Sequence, residues 1–204
     1  MAILKELFGP SKEEVWEQLS QDIGGEYFTG GFWLGESKVR AEVGEWTVTL
    51  DTYEVSDTGR AHRYTRLRAP FVNKDGFVFT IYREGMFREM EHFLGESDIE
   101  VGYPKFDEAF VIKGNNEAQL KALFANGELR KLVEEQPDIY FHVKDDEGWF
   151  SKKYPEGVDE LCFQVHGVIK DLERLKQLYQ LFAVTLNQLC HIGSAYKEDP
   201  ELVI

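Results

Sequence analysis

Apolar positions recur along this chain in two rhythms, steps of three and four and steps of two, and the rhythms divide it into helices and strands. The longest helical stretch runs from Ile169 to Ile192. Leu172, Leu175, Tyr179, Phe182, Leu186 and Leu189 repeat there with alternating steps of three and four, which is one stripe of an α-helix. Leu178 and Leu181 widen the stripe, and Lys170, Glu173, Arg174, Lys176, Gln177 and Gln180 fill the other side. No Gly or Pro interrupts it, and Gly193 stands where a C-cap falls. At 1.5 Å per residue this helix is roughly 36 Å long. Its stripe is expected to lie on a sheet. The same spacing also suits a two-helix seam with a second copy.

Upstream, Ser11-Lys-Glu-Glu14 reads as a capping box. Val15, Trp16, Leu19 and Ile23 then form a short helical stripe that Gly24-Gly25 ends. Glu26 to Glu36 reads as an edge strand or an aromatic loop. Trp46 to Val55 alternates, with Trp46, Val48 and Leu50 facing one way and Thr47, Thr49, Asp51 and Tyr53 the other. Ser56 to Gly59 is a turn cluster, and Arg60 to Phe71 alternates again. A four-residue loop would set Val48 opposite Leu67, Thr49 opposite Arg66 and Asp51 opposite Tyr64. Asn73-Lys-Asp-Gly76 signals a second turn, after which Phe77, Phe79 and Ile81 complete a three-stranded meander. Pro70 belongs at a strand end or a bulge, because a middle strand needs its donor. Met86 to Leu94 has a weak helical pattern.

In the second half, Phe106 to Lys113 reads as a strand. Asn115-Asn116 caps a helix over Glu117 to Ala125, and Glu128 to Gln136 forms another that stops at Pro137. Ile139, Phe141 and Val143 alternate, as do Leu161, Phe163 and Val165, around a loop from Asp145 to Gly157. The order is β-α-α-β-β-α. The fold class is therefore α+β: antiparallel sheet portions packed against a long C-terminal helix. Residues 1–204 are expected to form one compact domain, with any seam near residue 100.

Of the 204 residues, 43% are hydrophobic, enough for a core of this kind. The net charge of −14 repels phosphate backbones and anionic membranes, so neither nucleic acid nor a membrane surface is an expected partner. No run approaches the ~18 apolar residues of a membrane span. Met1 to Phe8 is too short for a secretory signal. Two cysteines are too few for a disulfide framework, which favours a reducing cytoplasm.

The runs Trp46-Thr-Val-Thr-Leu-Asp-Thr-Tyr53, Tyr64-Thr-Arg-Leu-Arg-Ala-Pro-Phe71, Phe106-Asp-Glu-Ala-Phe-Val-Ile-Lys-Gly114 and Asp145-Asp-Glu-Gly-Trp-Phe150 resemble a group of uncharacterised bacterial proteins. The likeness covers most of the chain. It implies a bacterial, cytoplasmic protein and brings no activity, ligand or catalytic residue with it.

The chain has no phosphate loop, GxGxxG, HExxH, CxxC or GxSxG motif. Three groups remain. The polar face of the first hairpin gathers Asp51, Tyr53, His62, Tyr64, Arg66 and Arg68, with Arg60 and Arg63 nearby. Arginine forks bind carboxylate or phosphate, and tyrosines offer a stacking surface. The group reads as a site for an anionic small molecule or acidic peptide, or as a solvated face whose arginines pair with Asp51 and other acids. Second, if Val143 opposes Leu161, then His142 opposes Cys162, with His166 on the same face. A Cys beside a His becomes a thiolate nucleophile or a soft-metal site; otherwise this is an ordinary half-buried sheet face. Third, Asp145-Asp146-Glu147 beside Trp149 lacks the ligand spacing of an EF-hand and reads as a solvated acidic loop, with Trp149 and Phe150 as a lid or contact. No cofactor and no metal is expected. The sequence favours a non-catalytic binding or adaptor domain that works with an unknown protein or with itself. The alternative is a binder of, or an enzyme acting on, an anionic small molecule.

Overall fold

Strands with one apolar face bury it by pairing and by accepting a layer of helix, and this chain does both. The computed structural model describes residues 9–31, 36–57, 59–84, 98–144 and 154–202. Eight strands among them form one antiparallel sheet: β1 (Glu26–Phe28), β2 (Lys38–Val43), β3 (Trp46–Asp57), β4 (Arg60–Val72), β5 (Phe79–Arg83), β6 (Phe110–Gly114), β7 (Tyr140–Lys144) and β8 (Val158–His166). Their order across the sheet is β1-β2-β3-β4-β8-β7-β5-β6. The described helices are α1 (Lys12–Ile23), α2 (Pro104–Ala109), α3 (Glu117–Phe124), α4 (Gly127–Glu134) and α5 (Leu172–His191).

The expected α+β fold with a long C-terminal helix on an antiparallel sheet is present. The meander differs in membership. Phe79 to Arg83 does not lie beside β4, because β8 and β7 stand between them. The N-terminal meander is instead β1-β2-β3-β4. Alternation specifies a strand and its faces but not a distant partner, which explains the error. β2 carried its own signal in Val39, Ala41 and Val43.

The β3–β4 hairpin is also tighter than a four-residue loop. Asp57 pairs with Arg60, Leu50 with Leu67 and Asp51 with Arg66. This is a shift of two residues from the expected register, and a shift of two leaves every side chain on its own face. Gly59, at φ +84°, supplies the left-handed residue such a tight connection needs. Pro70 lies past Arg68, the last β4 residue paired to β3, so no β3 pairing needs its donor.

Two neighbouring rows show how the faces separate. Val39, Leu50, Leu67, Phe163, Phe141, Ile81 and Ile112 are successive partners across seven strands, and all are buried. One residue along, the row is Arg40, Thr49, Arg68, Cys162, His142, Thr80 and Lys113. Because the strand period is two, this second row points to the other side. Every described helix sends its buried apolar side chains into the cluster that holds the first row.

Helix ends follow their caps. Ser11 and Glu14 close the capping box of α1. Asn116 and Asn126 cap α3 and α4. Phe106 begins no strand but sits in α2, where Pro104 fits the first helical turn. α5 begins at Leu172 rather than Ile169, because the Asp171 carboxylate accepts from Arg174 N at 3.0 Å. At its end Ser194 N bonds to Leu189 O at 2.9 Å and Gly193 N to Cys190 O at 3.1 Å, with Gly193 at φ +85°. The stripe from Leu175 to Leu189 faces the sheet, as expected. Phe182 meets Phe141 at 5.5 Å between ring centroids, and the Tyr179 hydroxyl donates to Val39 O at 3.3 Å. Trp16 Nε1 donates to Ile169 O at 3.1 Å and ties α1 to the lead-in of α5.

Candidate functional site

The face of the sheet that carries no described helix is built from alternate residues of β3, β4, β8 and β7. Asp51 and Tyr53 come from β3, and His62, Tyr64, Arg66 and Arg68 from β4. Cys162, Gln164 and His166 come from β8, and Tyr140 and His142 from β7. The β4–β8 pairing sets Arg68 opposite Cys162, Arg66 opposite Gln164 and Tyr64 opposite His166. The first two groups of candidate residues in the sequence therefore belong to one surface. Nothing local to either segment reveals this.

At its centre Asp51 receives two arginines. Arg66 Nε donates to Asp51 Oδ1 at 2.9 Å and Arg66 Nη2 to Oδ2 at 3.0 Å. Arg68 Nη2 donates to Oδ2 at 2.6 Å, and Arg68 Nη1 stands 3.7 Å from Glu160. Tyr154 donates its hydroxyl to the same Glu160 carboxylate. Arg63 is held by Glu54 at 2.6 Å and lies 3.8 Å from Glu36. So the pairing with Asp51 and other acids that the sequence allowed is present. The side chains of Asp51 and Glu160 are only 12% and 7% exposed, so this is no freely solvated face. Thr49 Oγ1 and Arg68 Nε, neighbours in one row, have no hydrogen-bond partner among the described residues.

Tyrosines extend the network. Tyr53 and Tyr64 stack at 5.3 Å, and the Arg66 guanidinium lies 4.7 Å over the Tyr53 ring. The Tyr53 hydroxyl donates to Gln164 Oε1 at 2.8 Å. Burial, helped by Cys162 close by, pushes the Tyr53 phenol up to about 12. For Arg66, burial works against the charge, but the Asp51 hydrogen bonds and charge outweigh it and raise its pKa. Burial likewise raises Tyr140 and Tyr154, the latter also through Glu160.

His142 does oppose Cys162, as the register predicted, and both are buried. The thiol points toward Phe163 O at 3.9 Å. His166 does not join them. It meets Tyr64 edge-on at 5.5 Å and His62 at 5.6 Å between centroids. Among the described residues no three His, Cys, Asp or Glu side chains stand together to hold a metal. Glu160, Gln164 and Tyr154 belong to the network but were not candidates in the sequence; only the β4–β8 pairing reveals them. Asp145, Asp146, Glu147, Trp149 and Phe150 lie outside the described residues.

An antiparallel sheet with helices on one face and a paired arginine–tyrosine lattice on the other defines the class: an α+β protein with a polar sheet face. No protein-family model matches the chain, and no curated protein matches it either. Among solved structures, it overlaps the crystal structure of the mycobacterial trehalose monomycolate transport factor A with a TM-score of 0.45 and 9% identity, covering 85% of this chain and 95% of that one. An overlap at that level carries no inference about function.

Proposed function

We propose that this chain is a non-catalytic binding domain whose partner, another protein or a second copy, meets the polar face around Tyr53, Tyr64 and Arg66. The observation that carries this reading is the asymmetry of the sheet. The described helices occupy one face, and the other presents stacked tyrosines and an arginine held over a ring. Arginine and tyrosine held rigid in this way lose little freedom when a partner arrives. The net charge of −14 disfavours nucleic acid and anionic membranes as partners. No helix among the described residues is long and apolar enough to cross a membrane. Two cysteines are too few for a disulfide framework, which supports a reducing cytoplasm. We also take the chain as one unit, because β4 from the first half pairs with β8 from the second.

The second reading is a binder of, or an enzyme acting on, an anionic small molecule at Asp51, His62, Tyr64, Arg66 and Arg68. Charge balance weighs against it. Arg63, Arg66 and Arg68 each already face a carboxylate, so an incoming anion competes with Glu54, Asp51 or Glu160. Native mass spectrometry of the gently purified protein tests both readings. The expected result is a retained second chain, identical or different, that Tyr64→Ala releases. A bare monomer in both samples sinks the binding-domain reading. A stoichiometric small adduct on the wild type moves the assignment to the second reading, and its mass gives the substrate class.

A further inference from the structure

We propose that His62 and His166 form a two-point binding site for a transition-metal ion of the zinc, nickel or copper kind. The two residues come from adjacent antiparallel strands. Tyr64 pairs with His166, so His62 is the diagonal neighbour of His166 on the same face. Diagonal neighbours in a sheet are within reach of long or aromatic side chains. Here the rings lean together until His62 Nδ1 and His166 Nε2 are 3.4 Å apart. Their planes make an angle of 55°, so the rings do not stack; they meet through their nitrogens.

That separation is the one a chelate requires. A tetrahedral ion with bonds of about 2.05 Å to each imidazole nitrogen places the two donors about 3.3 Å apart. The pair therefore accepts an ion when the two rings turn their lone pairs toward it, with little change in their separation. The edge of Tyr64 against His166 fixes the tilt of that ring, much as outer contacts orient ligating histidines elsewhere. Both histidines are exposed, so a hydrated ion reaches them. The charge of −14 draws cations toward the chain, and imidazole donors select zinc, nickel or copper over magnesium or calcium.

Without an ion, the N–H of one ring bridges to the lone pair of the other. When an ion binds, that hydrogen moves to the second nitrogen of its own ring, and both facing lone pairs turn to the metal. No third donor among the described residues completes the set. The remaining positions hold water or a donor from a bound partner. The site does not depend on the binding-domain reading above.

Isothermal titration calorimetry of the full chain with zinc chloride, and separately with nickel chloride, tests the proposal. One ion per chain is expected. His62→Gln and His166→Gln should each weaken binding about tenfold or more, because the second imidazole no longer arrives as an intramolecular ligand. The double variant should bind no better than either single one. His191→Gln and Cys190→Ser should bind as the wild type does. Absence of binding to the wild type overturns the proposal, as does binding that survives His62→Gln or vanishes with Cys190→Ser. Circular dichroism checks that each variant is folded. If His166→Gln fails to fold, His62→Gln decides.

Discussion

Asp51 holds two arginines on one carboxylate, and its replacement isolates the effect of that arrangement. Its side chain and those of Arg66 and Arg68 are largely buried, at 12%, 24% and 16% exposure. Removing the carboxylate while leaving the guanidinium groups in place strands charge in a poorly hydrated site. Asp51→Ala should therefore destabilise the fold by about 3–5 kcal/mol. Pairing it with Arg66→Met should cost less than the two single changes added together, a difference that urea denaturation of all three variants reads directly. Additive losses would show that the pair is not coupled. Tyr53 supplies a test by pH. Its phenol titrates at about 12 in the folded chain against an ordinary 10.0. Between those values the unfolded chain releases the proton and the folded chain keeps it. The contribution is complete below pH 10 and is lost as pH rises toward 12. Tyr53→Phe should flatten the alkaline fall in stability, measured by denaturant midpoints from pH 9 upward. Equal slopes in the two proteins would show that other groups cause it.

At the scale of elements, α5 concentrates the burial. Leu178 is fully buried in its stripe, and Leu178→Ala should cost about 2–5 kcal/mol by emptying a space the sheet cannot refill. Gln180→Ala, on the exposed side with one bond to Glu128, should change stability by less than about 0.5 kcal/mol. Thermal or urea unfolding compares them; similar losses would mean the stripe is misassigned. That stripe was legible in the sequence because a period of three and four over some twenty residues reads as a helix whether a sheet or a second helix covers it. So were the faces of β3, β4, β7 and β8, since alternation sets them; the opposition of His142 and Cys162 followed only on the condition that Val143 opposes Leu161, which the structure meets. The order of strands was not legible. β4 has apolar and polar faces that suit several partners, and only three-dimensional packing selects β8. In the sequence the candidate site accordingly falls into two groups. His166 shares the face of Cys162, as alternation dictates, but its contacts are with Tyr64 and His62.

For the whole molecule, the charge of −14 is distributed so that the polar face holds its arginines against matched acids. The stripe of α5 lies within the chain's own core, so a second copy must meet some other surface. The strand order has a consequence for how the chain comes together. β1 to β4 form one ribbon, and β5, β6 and β7 form another. β8 joins them by pairing with β4 on one side and β7 on the other. It is also the last of the eight described strands along the chain. Without it, each half-sheet would keep an unpaired border, and its pairing with β4 spans about a hundred residues, a separation that slows closure. The centre of the finished sheet thus depends on the latest of its strands along the chain.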